Sequence, residues 1–168
     1  VGYESLSANT GGAGNVAVGF KSLLSNTTGN YNTAVGQESL EANTTADHNV
    51  AMGYFALTAN TTGYNNTAVG TSALKANTTA HSNTAFGRDA LTACTTGVTN
   101  TAVGNFAMQT STTTAETVSL GAYSQRYTTT GGNNTSVGYN SASSMTTGIN
   151  NVCVGWGAGT YNPAVGRG

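Results

Sequence analysis

Few residues in this chain carry side chains able to do acid–base, nucleophilic or metal chemistry. The histidines are His48 and His81, the cysteines are Cys94 and Cys153, and charged residues make up 7% of the 168. His48 and His81 stand near one turn position two repeats apart, away from any carboxylate–cysteine cluster, and read as exposed turn residues. The sequence holds no metal-ligand spacing, no Gly-rich loop running into Lys-Ser/Thr and no calcium nonapeptide with its column of Asp. It also holds no Ser/His/Asp set beyond what a repeat produces by itself. The expectation is therefore a protein that is not an enzyme and uses no metal or cofactor. A net charge of −1 gives no reason to expect nucleic acid or an anionic membrane as partner. The apolar runs are too short for a transmembrane helix, and Val1 does not open a signal peptide.

The positions of these residues are set by a repeat. A glycine preceded by a small and then an apolar residue recurs with a constant step at Gly2, Gly19, Gly36, Gly53, Gly70, Gly87, Gly104, Gly121, Gly138 and Gly155. Four residues before it stands Asn, as in Asn32, Asn49, Asn66 and Asn83, with Thr117 the exception. Then come Thr or Val, a small residue (Ala in most copies, Ser119, Ser136 and Cys153 in the others), and an apolar residue such as Val35, Val69 or Val103. Leu follows the glycine by four in the copies from Leu6 to Leu91, and Asn-Thr-Thr-Gly or a variant closes the unit. Ten copies without insertion or deletion are read before any local propensity.

Seventeen residues bury no core alone, but they suffice for one coil of a solenoid stacked on its neighbours. The β-branched N-[TV]-A-V segment predicts a short strand, and Asn-Thr-Thr-Gly predicts a turn. The phase glycines Gly36, Gly70 and Gly104 then mark a corner with positive φ or close backbone approach. The x-x-A-L-x-A segment has room for two helical turns, and a helix there is the alternative. The predicted fold is an all-β parallel β-solenoid of ten 17-residue coils, expected to be homotrimeric, forming a rod of roughly 45–50 Å. Stacked Asn residues are expected to hydrogen-bond up the stack, with Val and Leu ladders forming the interior. Strand alternation puts the small column on the face opposite Val. Either the small column faces outward, where another chain approaches closely, or it fits a narrow coil interior.

The solenoid is expected over residues 1–156, near consensus to about 107 and degenerate after it, with 157–168 an exit segment. In the degenerate part Gln125, Ala142 and Gly159 replace Leu, and Tyr123, Tyr127 and Met145 are candidates to refill the interior. Asn162-Pro163-Ala164-Val165-Gly166 reads as a terminating edge strand. Both ends fall inside a repeat, so the chain reads as a piece of a longer fibre. Cys94 and Cys153 lie four coils apart, about 19 Å by strand spacing, beyond the roughly 7 Å Cα reach of a disulfide. Repeated Asn-x-Thr sequons at Asn26, Asn43, Asn60 and Asn77 read as turn structure rather than glycan acceptors.

One variable column carries the candidate ligand contacts. Directly after the phase glycine stand Tyr3, Phe20, Tyr54, Tyr139 and Trp156, among Gln37, Thr71, Arg88 and Asn105. Exposed aromatics there would stack on sugar rings or support a partner chain; alternatively they cover the bare backbone of the glycine.

The cassettes Asn32-Thr33-Ala34-Val35-Gly36…Leu40…Asn43-Thr44-Thr45 and Asn66-Thr67-Ala68-Val69-Gly70…Leu74…Asn77-Thr78-Thr79 resemble the repeat arrays of phage tail-fibre-like proteins and bacterial surface proteins. Such arrays often precede an endosialidase-type intramolecular chaperone domain, which has no counterpart here. The strand portion is also similar to the shorter cassette of trimeric autotransporter adhesin heads. The resemblance implies a homotrimeric shaft or head used for reach and attachment. The function it implies is structural, on a virion tail or outside a cell, with other copies of the chain and cell-surface carbohydrate as partners. Two alternatives are an ice-binding solenoid, which shares Asn-x-Val-x-Gly coils, and a self-assembling extracellular filament. Against ice binding, the paired threonines such as Thr27-Thr28 point to opposite faces.

Overall fold

The computed structural model describes residues 1–160. Nine strands of three residues each form one parallel sheet in chain order: β1 (Val16–Val18), β2 (Thr33–Val35), β3 (Val50–Met52), β4 (Thr67–Val69), β5 (Thr84–Phe86), β6 (Thr101–Val103), β7 (Val118–Leu120), β8 (Thr135–Val137) and β9 (Val152–Val154). Each residue pairs with its equivalent one repeat on, Ala34 with Ala51 and Ala68 with Ala85, so the register never slips. The all-β parallel solenoid with 17-residue spacing is thus the observed fold, and no helix occurs among the described residues. The coil count differs from the ten expected. Nine strands bound eight complete coils, because Val1-Gly2 has a phase glycine but no strand before it. The expected terminating strand at 162–166 lies outside the described residues.

The structure decides between the two readings of the small column. The middle residue of each strand points inward: Ala34, Ala51, Ala68, Ala85 and Ala102 are fully buried, while the flanking Thr/Val and Val columns lie partly or fully in solvent. Val35, Val69 and Val103, expected in the interior, instead stand on its outer face. The reason is volume. The interior opposite the strand is filled by the ladder Leu23, Leu40, Leu57, Leu74, Leu91 and Met108, all fully buried, and only Ala fits across from it.

The rest of each coil is made of turns whose backbone alternates sign. The residues two and four after the phase glycine have positive φ, for example Ser72 at 58° and Leu74 at 50°. This region is sparsely populated by residues with a Cβ and is most hostile to β-branched ones. Neither column contains Val, Ile or Thr in any copy. The alternation aims successive N–H groups at opposite neighbours. Glu38 N–H donates to the Phe20 carbonyl of the coil before, and Leu40 N–H donates to the Ala56 carbonyl of the coil after. A helix would direct these bonds within its own segment, so the x-x-A-L-x-A stretch ties coils together instead.

At the phase glycine both reasons for glycine apply. Gly70 has φ 130°, and a Cβ there would stand 2.6 Å from the carbonyl carbon and oxygen of Gly87. Gly70→Ala is expected to lower stability by about 2–4 kcal/mol, the range of a severe backbone clash. Ser72→Gly, relieving a positive φ, is expected to raise it by about 0.5–1 kcal/mol. Urea denaturation of the two variants beside the parent chain checks both signs.

Candidate functional site

Two amide ladders shape the inside of the coil. In the first, each Asn ahead of a strand accepts the backbone N–H of the Asn one coil on: Asn49 N–H donates to Asn32 Oδ1 at 2.9 Å and Asn66 N–H to Asn49 Oδ1 at 3.0 Å. Asn100 N–H bonds Asn83 Oδ1 in the same way at 2.9 Å. In the second, the turn asparagines bond side chain to side chain, with Asn43 Nδ2 donating to Asn26 Oδ1 at 2.8 Å and Asn77 Nδ2 to Asn60 Oδ1 at 2.7 Å. In the coils up to Asn77 both ladders converge on one turn carbonyl. Ala80 O accepts from Asn66 Nδ2 at 2.8 Å and from Asn77 Nδ2 at 3.1 Å. The sequon residues Asn26, Asn43, Asn60 and Asn77 are fully buried, so the folded chain presents none of them to a glycosylating enzyme.

The second ladder breaks at Cys94. Its Sγ reaches Gly97 O at 3.4 Å, and Asn77 Oδ1 is left buried without a partner. Beyond the break the same position is held by Ser111, Thr128 and Met145. Met145 is buried, but in this turn-ladder position and outside the core cluster of the Leu column; Tyr127 is exposed and Tyr123 half-buried, so neither refills the interior. Gln125 enters the Leu position itself, fully buried, with Nε2 donating to Val118 O at 3.1 Å and Oε1 unpartnered. Both cysteines are free.

On the outside, three surfaces present chemistry. The column after the phase glycine is solvent-facing: Tyr3, Phe20, Tyr54, Tyr139 and Trp156 are 41–80% exposed. It is not one platform. Tyr3 stacks on Phe20 at 5.6 Å and Tyr139 on Trp156 at 6.5 Å, but Gln37, Thr71, Arg88 and Asn105 separate these pairs. The second surface is the outer face of the sheet, where Thr or Val alternates with Val, Met, Phe or Leu and no charged residue intervenes. Phe86 is 55% exposed there.

The third surface, on the corner just ahead of the strands, is one that sequence reasoning misses. Tyr31 stacks on His48 with ring centroids 5.2 Å apart, and Tyr64 stacks on His81 at 4.7 Å and 10° between planes. The signal for it is that each His stands one full repeat after a Tyr, a relation invisible when each histidine is weighed as a single turn residue. A further cationic cluster sits elsewhere, with the Arg126 guanidinium 5.1 Å from the rings of Phe106 and Tyr127 and 5.2 Å from Tyr123. Among the described residues no group of three or more His, Cys, Asp or Glu is placed to hold a metal ion.

No protein-family model matches this chain, and no curated protein or solved structure shows significant similarity to it. What the chain does must therefore be read from its geometry.

Burial pushes the Cys94 thiol up to about 11 from its ordinary 9.0. Unfolded chain then ionises first, so the thiol's contribution to stability holds below pH 9 and is lost as pH rises to about 11. Cys94→Asn is expected to supply an amide for Asn77 Oδ1 and raise stability by about 1–2 kcal/mol. It should also remove this alkaline loss. Urea melts of both chains at pH 7 and across pH 9–11 check the gain and the slope.

Proposed function

We propose that this chain is a structural segment of a fibrous attachment protein, of the phage tail-fibre or bacterial surface-adhesin kind, working outside a cell or on a virion. Its copies associate in parallel as a homotrimer, and its exposed columns meet the target surface. The observation that carries this reading is the outer face of the sheet. From β1 to β9 it is uncharged and apolar along its second outward column, and an unbroken apolar stripe on a repeat protein marks an interaction surface. The partner that matches a stripe repeating once per coil is a chain with the same repeat. Packing through Val69, Phe86 and Val103, rather than through the buried alanines, is the form of trimer this coil permits.

The mechanism is mechanical. Each coil is bonded to both neighbours along its whole perimeter, so the rod resists bending and holds what is attached to its ends at a fixed separation. A second reading, ice binding, is favoured by the same sheet. Two Thr columns point outward, the half-buried strand threonines Thr67, Thr84 and Thr101 and the exposed second turn threonines Thr28, Thr45, Thr62 and Thr79, but only the first lies on the sheet. Met52 and Phe86 interrupt the flatness that ordered water requires, which ranks this reading second.

Light scattering on a sizing column is expected to give three times the 16.8 kDa chain mass. A Val69→Lys/Val103→Lys double variant is expected to run as a monomer with unchanged far-UV circular dichroism. A monomeric parent chain with strong thermal hysteresis would replace this proposal by ice binding, and a mass that grows with concentration would point to filament assembly.

A further inference from the structure

The corner ahead of the strands holds an open groove of about 370 Å³. One wall is Thr45, Asp47 and His48, and the other, one coil on, is Thr62, Tyr64 and Asn65. Its origin is a break in a stack. Along this column the residues are Asn30, Asp47, Tyr64 and His81, each one repeat from the last. His81 covers one face of the Tyr64 ring at 10° between planes, so the opposite face looks back towards the coil of Asp47. Asp47 does not cover it. Its Oδ1 accepts from Asn30 N–H at 2.6 Å and from Asn30 Nδ2 at 3.2 Å, drawing the carboxylate towards the preceding coil. No hydrogen bond is made to Oδ2 among the described residues. The next column over has the Tyr31–His48 stack beside Asn65, which rims the same groove.

We propose that this groove binds a neutral pyranose, with one sugar face against Tyr64 and two adjacent hydroxyls on Asp47. A ring face offers a flat apolar surface to the axial C–H bonds of a sugar. A carboxylate held by two donors on one oxygen keeps the other available to accept from hydroxyls, a charge-assisted bond stronger than a neutral one. Thr45, Thr62 and Asn65 supply further hydroxyl and amide groups around the rim. The groove has no Lys or Arg in its walls, so the Asp47 charge turns away sialylated sugars, phosphates and nucleotides. At about 370 Å³ it falls at the small end of the roughly 300–1,000 Å³ of small-molecule sites, sized for one or two sugar units. The groove deepens the attachment reading, on which it rests, by giving it a site and a ligand class. It lies apart from the column of Tyr139 and Trp156 and does not need the chain to be trimeric.

The test uses the full chain on an array of glucose-, galactose-, mannose- and N-acetylglucosamine-terminated oligosaccharides, with sialylated versions of the galactose set. At least one neutral series is expected to bind, and terminal sialic acid is expected to weaken that binding at least tenfold. Tyr64→Ala and Asp47→Asn should each lower affinity tenfold or more; Tyr64 is exposed and Asp47 half-buried, and circular dichroism checks that the coil is intact. Tyr127→Ala, at an exposed residue outside both aromatic columns, should leave affinity unchanged, and Trp156 fluorescence should not respond to the sugar. Failure of every neutral glycan to bind overturns the proposal, as does binding that survives Tyr64→Ala. Quenching of Trp156 would move the sugar to the other aromatic column, leaving attachment standing and this groove excluded. The Val69→Lys/Val103→Lys monomer separates assembly from recognition, because it should keep the intrinsic affinity of the groove.

Discussion

The shape of the coils up to Asn77 depends on a carbonyl at the turn that accepts two amide hydrogen bonds at once. In one coil it is Ala80 O, held by Asn66 from the strand side and Asn77 from the turn side; in the preceding coil it is Gly63 O, held by Asn49 and Asn60. A buried carbonyl and two buried amides would each be costly alone. Together they satisfy one another and fix where the chain turns. Because amide oxygens such as Asn49 Oδ1 and Asn43 Oδ1 also accept from the next coil, the geometry of one coil is imposed on its neighbour. The apolar interior is only an alanine and a leucine wide, which is little to hold so long a loop in place, so specificity of shape rests on these polar ladders.

The same logic explains why the two ends of the solenoid differ in quality. Up to Asn77 the turn ladder is continuous; from Cys94 onward its members change type at each step. The unpartnered buried atoms follow this change: Asn77 Oδ1 at the break, then Thr114 Oγ1, Ser124 Oγ, Gln125 Oε1 and Ser136 Oγ. The sheet nevertheless continues in register through β9. Backbone pairing carries the fold where side-chain pairing lapses, and the later coils are the weaker ones in a structure whose stability is a sum over neighbours.

Much of this was legible in the sequence for a physical reason: a repeat averages out local ambiguity. A strand of three residues such as Thr67–Val69 would be invisible once, but nine copies, all with Gly after and all but one with Asn before, define it. The phase glycine was equally legible, since nothing else tolerates both its φ and the 2.6 Å approach at Gly70. The inward face was not. Alternation separates Ala68 from Val69 but does not say which is inside; that is decided by the width left by Leu74, a quantity belonging to two strokes of the coil at once. The positive φ at Ser72 and Leu74 was also hidden, because its mark is an absence of β-branched residues rather than the presence of Gly. The stacked Tyr64 and His81 escape a reading along the chain because their interaction runs across it.

The unbroken register makes length a discrete variable. A single inserted residue would turn inward positions outward and break the pairing in the coil that receives it, whereas a whole added coil keeps every column in place. Such a chain grows or shrinks in evolution by duplication or loss of entire units, each step about 4.8 Å along the axis. Reach can then be adjusted as on a graduated ruler, while the surface chemistry of every remaining mark stays where it was.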